Sequence, residues 1–407
     1  AIPWDERKSS LHAYFQGKQD LDPGRLTPVL RGQLRAASLP NVAGSLLKRS
    51  SAGLPYLRSK GAVLEHATQH ALDQFGVYPS VLFTRTQEDR KTRNVWGYPI
   101  SDTMIEQSFF IPWLPVEKRM TYRSALHGPD YVDRAVTVLL SSKAPGDLMV
   151  SVDFSAFDAS VSPVLSYDAF NKIASVFQRD QLDLLYRVFR RFISIPIYTP
   201  DGEISGPHGV PSGSSFTNTV DSLVQFAASG ANPNRCQVQG DDGLYIVAQS
   251  ERDSFMRRFR AAGLTVNEEK SHEFEAPEAI FLQRYYHPTY RSRTGQGFGG
   301  VYSLYRALAR IKYPERWSDF GALGIEARDF WSIRAITILE NCKHHPGFED
   351  LVQLVQSLDK FGLGYSRNSV AAYSRAVEPR LRAGVLHTEN LSGGIDNFET
   401  VKVLKRL

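Results

Sequence analysis

Apolar and polar positions along Leu148-Met149-Val150-Ser151-Val152-Asp153-Phe154, just after the Gly146-Asp147 turn signal, predict a strand that ends on a carboxylate. Tyr78–Thr84 has the same β-like pattern. Ile193–Pro200 and Glu203-Ile204 flank Asp201-Gly202, a two-residue hairpin signal. Val238–Val247 reads as two short strands around a tight turn at Gly240-Asp241-Asp242. A strand-like stretch follows at Phe281–Tyr286.

Helical periodicity marks Ala62–Phe75, most of 101–140 and residues 164–192, the last with Phe170, Ile173, Val176, Leu182, Leu185 and Val188 on its apolar positions. A helix from about Ser214 to Ser229 carries Phe216, Val220 and Leu223 on one stripe, with Gly230 as its stop. Ser250 is placed to cap the next helix, which Gly263 ends. Residues 1–60 read as loop-rich and 300–407 as mostly helical. The order predicts an α+β fold, a core sheet set between helical flanks.

At 407 residues the chain exceeds one compact core and suits two to three subdomains. The composition, 42% hydrophobic and 22% charged, is that of a globular chain. Cys236 and Cys342, the two cysteines, exclude a disulfide scaffold and a cysteine-based zinc site and suit a reducing compartment. The net charge of +5 is compatible with a polyanionic partner without requiring one. No stretch approaches the ~18 apolar residues of a membrane span, and the first residues lack the apolar core of a signal peptide. The expectation is a soluble intracellular protein.

The candidate chemistry is acidic. Asp241 and Asp242 adjoin in a turn, so their carboxylates point to nearly one place and raise each other's pKa unless a cation compensates. If Asp153 ends a neighbouring strand, three carboxylates converge, a donor set for hard divalent ions such as Mg²⁺ or Mn²⁺. A Gly-Asp-Asp triplet alone is common enough by chance to carry little. Its surroundings add weight: Val238, Leu244, Tyr245 and Ile246 would bury the hairpin.

The Ser212-Gly213 loop opens a helix on which Thr217 and Asp221 share a face, with Asn218 beside them. Backbone N–H groups and hydroxyls there suit a nucleotide phosphate or ribose. Arg85, Arg90, Lys91 and Arg93 gather cations of the kind a triphosphate needs, although Glu88 and Asp89 offset them. Lys270 is a candidate general acid. His208, His272 and His287 show no metal-ligand spacing.

In this order the residues resemble a viral RNA-dependent RNA polymerase over roughly 50–315. Ser51-Ala52-Gly53-Leu54-Pro55 looks like the template-entry motif, and Lys91-Thr92-Arg93 like the basic fingertip motif. Asp153 and Asp158 match the first palm motif, Ser212-Gly213 with Thr217 the second, and Gly240-Asp241-Asp242 the third. Lys270 falls at the lysine of the fourth, and Phe281–Tyr286 resembles the primer-grip hairpin. The stretch Thr84–Gln87 with Lys91–Pro99 looks most like picobirnaviruses, with partitiviruses next.

The resemblance implies a right-hand polymerase fold with an antiparallel palm sheet flanked by helices. Fingers would span 1–147 and 165–205, palm 148–164 and 206–285, and thumb 286–407. Asp153, Asp241 and Asp242 with the Phe154 carbonyl would hold the metal. Arg85, Lys91 and Arg93 would hold the NTP, and Asp158, Thr217, Asn218 and Asp221 would select ribose. Ser212 and Gly213 would form a mobile loop at the nascent base pair. Expected partners are template and nascent RNA, NTPs and a viral capsid protein, with no membrane. The expected form is a monomer, and the expected location is the virion interior and host cytoplasm of a double-stranded RNA virus.

One position departs from the pattern. Asp221 stands where the family often has Asn, so the amide that reads the ribose is lost or comes from Asn218, and Asp158 and Asp221 crowd one site. A reverse transcriptase and an RNA-binding protein with an inactive palm are the competing readings. Gly240 before the aspartate pair argues against the first, and the intact carboxylates against the second.

Overall fold

The computed structural model describes residues 2–86, 91–314, 320–321, 324–382 and 395–407, with side chains to 375 and from 395. Ten strands follow in chain order: β1 (Ser80–Thr86), β2 (Thr92–Gly97), β3 (Asp147–Val152), β4 (Ile197–Thr199), β5 (Gly202–Ile204), β6 (Cys236–Gln239), β7 (Asp242–Ala248), β8 (His272–Phe274), β9 (Ala279–Phe281) and β10 (Arg284–Tyr286). They form sheets of order β2-β1-β4-β5 and β6-β7-β3-β8, and a β9–β10 hairpin. The chain therefore enters the first sheet, crosses to the second, returns, and crosses again.

The second sheet is antiparallel throughout. Its period of two sorts its side chains. Leu148, Val150, Val152, Tyr245 and Val247 face the main core, which includes Val220, Leu223 and Val224 of the Thr217–Ser229 helix and Phe255 and Phe259 of the Arg252–Ala261 helix. Met149, Leu244 and Ile246 face the other way, onto Val132, Val136 and Leu139 of the Pro129–Ser142 helix and onto Ala279, Phe281 and Tyr286. Buried side chains of this kind contribute about 1.5–3 kcal/mol each. A separate core, from Tyr302 to Val403, holds the C-terminal helices together.

Three expectations need correction. Residues 164–192 are two helices, Pro163–Ala174 and Leu182–Ser194, separated by a turn. Phe281–Tyr286 is not one strand but the hairpin that the resemblance implied: Phe281 ends β9, Leu282 and Gln283 turn with positive φ (51° and 62°), and Arg284–Tyr286 is β10. Ser250 does not cap the following helix; Glu251 precedes its first residue and makes no side-chain cap.

The Ser51–Pro55 segment is tied to the Ile100–Glu117 helix. The Ile100 N–H donates to the Ala52 carbonyl (2.7 Å). Gly53 has φ +66°, and a Cβ there would lie 2.4 Å from the Tyr98 carbonyl oxygen, so only glycine fits.

Candidate active site

Register brings the expected carboxylates together. Val152 of β3 pairs with Gly243 of β7, so the next step along β3, Asp153, stands opposite Asp242. Asp153 is fixed by its backbone: its N–H donates to Ser271 Oγ (3.1 Å), and its carbonyl accepts from the Asn267 N–H (2.8 Å). Antiparallel alternation across the Phe154–Val266 bridge then turns the Phe154 carbonyl away from the 265–267 segment.

The carboxylates act on one another. Burial, and then the charges of Asp241 and Asp153, push Asp242 up to about 7, against Arg93. Asp153 is raised by burial and by Asp241, with Lys270, Lys91 and His272 pulling it down. Carboxylate and carbonyl oxygens alone, in mutual repulsion and flanked by cations, fit a hard divalent ion.

A second acidic pair lies deeper. Asp158 sits on the short Phe157–Ser160 helix, and Asp221 on the face of the Thr217–Ser229 helix. Asp221 is buried and pushed far up, first by burial and then by Asp158 and Asp241. Burial therefore favours its protonated form, and its neighbour Asp158 is raised to about 6 by burial and by Asp241. Tyr14, from the N-terminal segment, faces the same pair. Burial and both carboxylates raise its hydroxyl, with Arg93 opposing.

The basic hairpin overhangs this cluster. Arg85 and Arg93 are cross-strand partners. Arg93 acts on Asp158 and Asp242, and Lys91 acts on Asp153. Arg90 lies outside the described residues. Lys270, just after the Asn267 turn, supplies the largest countercharge to Asp153.

The Ser212–Ser215 loop docks on β2. Ser212 Oγ accepts from the Trp96 N–H (3.2 Å). A Cβ on Gly213 would fall 1.8 Å from the Trp96 carbonyl oxygen. The Thr217 hydroxyl donates to the Pro211 carbonyl (2.7 Å) and so shapes the loop. From the other side, buried Glu106 accepts from Ser214 Oγ (2.9 Å) and the Ser215 N–H (2.7 Å), and burial pushes it up to about 8.

Motif reading missed Arg123, Glu117, Glu106 and Tyr14. Arg123 is fully buried and pairs with equally buried Glu117 (2.9 Å). Its Nη2 donates to Asn218 Oδ1 (2.8 Å) and its Nη1 to the Val238 carbonyl (2.8 Å). No spacing announced it. The weak signal was a lone arginine between apolar positions after the Ile100–Glu117 helix.

Among the described residues, the cluster whose ligand atoms already lie within 4.8 Å of one another is not the Asp153 and Asp241-Asp242 group but Asp130, Asp133 and His344. Its chemistry is structural. The Lys343 ammonium sits 2.6 Å from Asp130 Oδ1. His344 Nδ1 accepts from the Arg293 N–H (3.1 Å), and its Nε2 lies 2.9 Å from Asp133 Oδ2. With Tyr286 Oη donating to Asp133 Oδ1 (2.8 Å), the cluster ties the C-terminal helices to the Pro129–Ser142 helix.

Comparison with known proteins agrees with this geometry. A family profile described as viral RNA-dependent RNA polymerase matches residues 25–358. A potential RNA-dependent RNA polymerase of human picobirnavirus is 29% identical, over 99% of this chain and 84% of the relative. An RNA-directed RNA polymerase of Cryptosporidium parvum virus 1 is 25% identical, over 59% of this chain and 52% of the relative. The crystal structure of a human picobirnavirus RNA-dependent RNA polymerase superposes with a TM-score of 0.80 at 25% identity, covering 100% of this chain and 84% of that one. An insertion-loop deletion mutant of such an enzyme gives 0.77 at 26% identity, covering 100% and 83%. The fold is the right-hand polymerase fold, and the chain belongs to the viral RNA-dependent RNA polymerases.

Proposed function

We propose that this polymerase copies RNA by two-metal nucleotidyl transfer at the Asp153 and Asp241-Asp242 cluster. The 3′-hydroxyl oxygen of the growing strand attacks the α-phosphorus of an NTP paired with the template. The bond to pyrophosphate breaks as the new phosphodiester forms. Asp153 and Asp241, supported by Asp242 and the Phe154 carbonyl, would hold Mg²⁺ or Mn²⁺, which lowers the pKa of the attacking hydroxyl and neutralises the leaving group.

The chain's own groups do the rest. Arg93, Lys91 and Arg85 hold the triphosphate over the carboxylates. Lys270 gives a proton to the departing pyrophosphate. Asp158 and Asn218, with Asp221 and Thr217 behind them, read the ribose. Ser212 and Gly213 back the nascent pair. Fingers are assigned to 1–147 and 165–205, palm to 148–164 and 206–285, and thumb to 286–407. The single observation that carries this reading is the β3–β7 register, which sets Asp153 opposite the Asp241-Asp242 turn.

Likeness to the picobirnavirus enzyme supports a wider assignment. The chain serves transcription and replication of a double-stranded RNA genome. It works as a monomer with capsid protein, in the virion and the host cytoplasm.

The test is template extension with labelled NTPs, with and without Mg²⁺. Metal-dependent, template-length product is expected. Absence of product with either Mg²⁺ or Mn²⁺ would leave an RNA-binding protein. Preferential use of dNTPs would make the enzyme a reverse transcriptase.

A further inference from the structure

We propose that Arg123 is the positioning residue for sugar selection, holding Asn218 so that it donates to the ribose. This rests on the polymerase reading above and adds a residue to it.

A guanidinium only donates, so the atom of Asn218 that meets Arg123 Nη2 at 2.8 Å must be its carbonyl oxygen. The Asn218 NH₂ is thereby turned away from Arg123. It faces Gly240, where a Cβ would lie 3.0 Å from Nδ2. Gly240 directly precedes Asp241, so the amide's donors flank the metal-holding turn.

The same guanidinium sets the turn itself. Arg123 Nη1 donates to the Val238 carbonyl (2.8 Å), to Gln239 Oε1 (2.8 Å) and to Ser222 Oγ. Ser222 Oγ in turn accepts from the Gly240 N–H (2.8 Å). Glu117 accepts from Arg123 Nε (3.0 Å), Trp113 Nε1 (3.0 Å) and Thr219 Oγ1 (2.8 Å), so the fork cannot swing. Asn218 and the carboxylate turn are thus registered to one rigid group, which a lysine's single ammonium cannot copy.

The test measures kcat/KM for a matched NTP and dNTP on the full chain, with melting curves and RNA binding as controls. Arg123→Lys keeps a charge for Glu117 but loses the fork. Asn218→Asp keeps an acceptor for Arg123 but loses the NH₂. Each should cut the preference for NTP about tenfold, the size of one lost hydrogen bond, and the double variant should fall no further. An unchanged ratio in either folded variant overturns the inference, even if both substrates slow together, because a merely structural arginine would do that. An additive fall in the double variant also overturns it. If Arg123→Lys does not fold, Asn218→Asp decides alone. A wild-type chain that incorporates no NTP would remove the polymerase reading and this inference together.

Discussion

Two groups of aspartates share one end of the β6-β7-β3-β8 sheet, and they solve the same electrostatic problem differently. Asp153, Asp241 and Asp242 are repelled by one another and offset by Lys91, Arg93 and Lys270, all of them exposed side chains at the edge of the site. Beside them Asp221 is buried and Asp158 half-buried, and burial raises both. The first group is a crowd of carboxylates flanked by cations, a setting that a divalent ion would relieve. In the second, burial favours the protonated form of Asp221. The two groups differ in depth, with Asp241 exposed and Asp221 buried.

The largest effect should come from the open group. Asp241→Asn removes a metal ligand, worth several kcal/mol of transition-state stabilisation, and should lower extension by about 10³-fold while RNA binding holds. Near-normal extension would erase the distinction between the two groups.

Asp158→Ala should reduce the NTP-over-dNTP ratio of kcat/KM about tenfold. The same ratio in mutant and wild type would remove the deep pair from sugar reading.

Glu106 sharpens the contrast, since it is a buried acid raised chiefly by burial, with the nearby Asp102 adding a smaller push. Its folded pKa, about 8, lies above the unfolded value of 4.5. Below pH 4.5 both states are protonated and no difference arises. As pH rises from 4.5 to 8, the unfolded chain ionises first and stability is lost. Glu106→Gln should therefore raise Tm little at pH 4 and increasingly up to pH 8. A gain that does not change with pH would mean Glu106 is ionised in the fold.

The smallest effect belongs to Asp221→Asn. If Asp221 is protonated, an amide replaces one donor with another, and extension should stay within about threefold, less than one net hydrogen bond. A loss beyond tenfold would show that Asp221 acts as an anion.

The same depth explains what the sequence disclosed. Strand β3, the carboxylate turn and the helix after Ser212 were legible because alternation, a turn triplet and a 3.6-residue stripe are local signals. Gly230, at φ +61°, ends its helix as expected. Long-range contacts were not legible. Tyr14 meets Asp158 across 144 positions, and Asp133 meets His344 across 211. Arg123 looked like any surface arginine because the five acceptors of its guanidinium come from five separate residues. The β9–β10 turn had no local signal, because Leu282 and Gln283 take positive φ without glycine or asparagine, and a hairpin there was indicated by the family resemblance alone. The break within 164–192 escaped because Ser175–Gln181 contains neither glycine nor proline.

Binding of Mn²⁺ to the full chain, followed by electron paramagnetic resonance with template and NTP present, reads the shared carboxylate cage without relying on turnover. Wild type should take up about two ions, with Asp153→Asn and Asp241→Asn each losing uptake and Asp221→Asn keeping it. Undiminished uptake by Asp153→Asn or Asp241→Asn would show that β3 and the β6–β7 turn do not hold metal together.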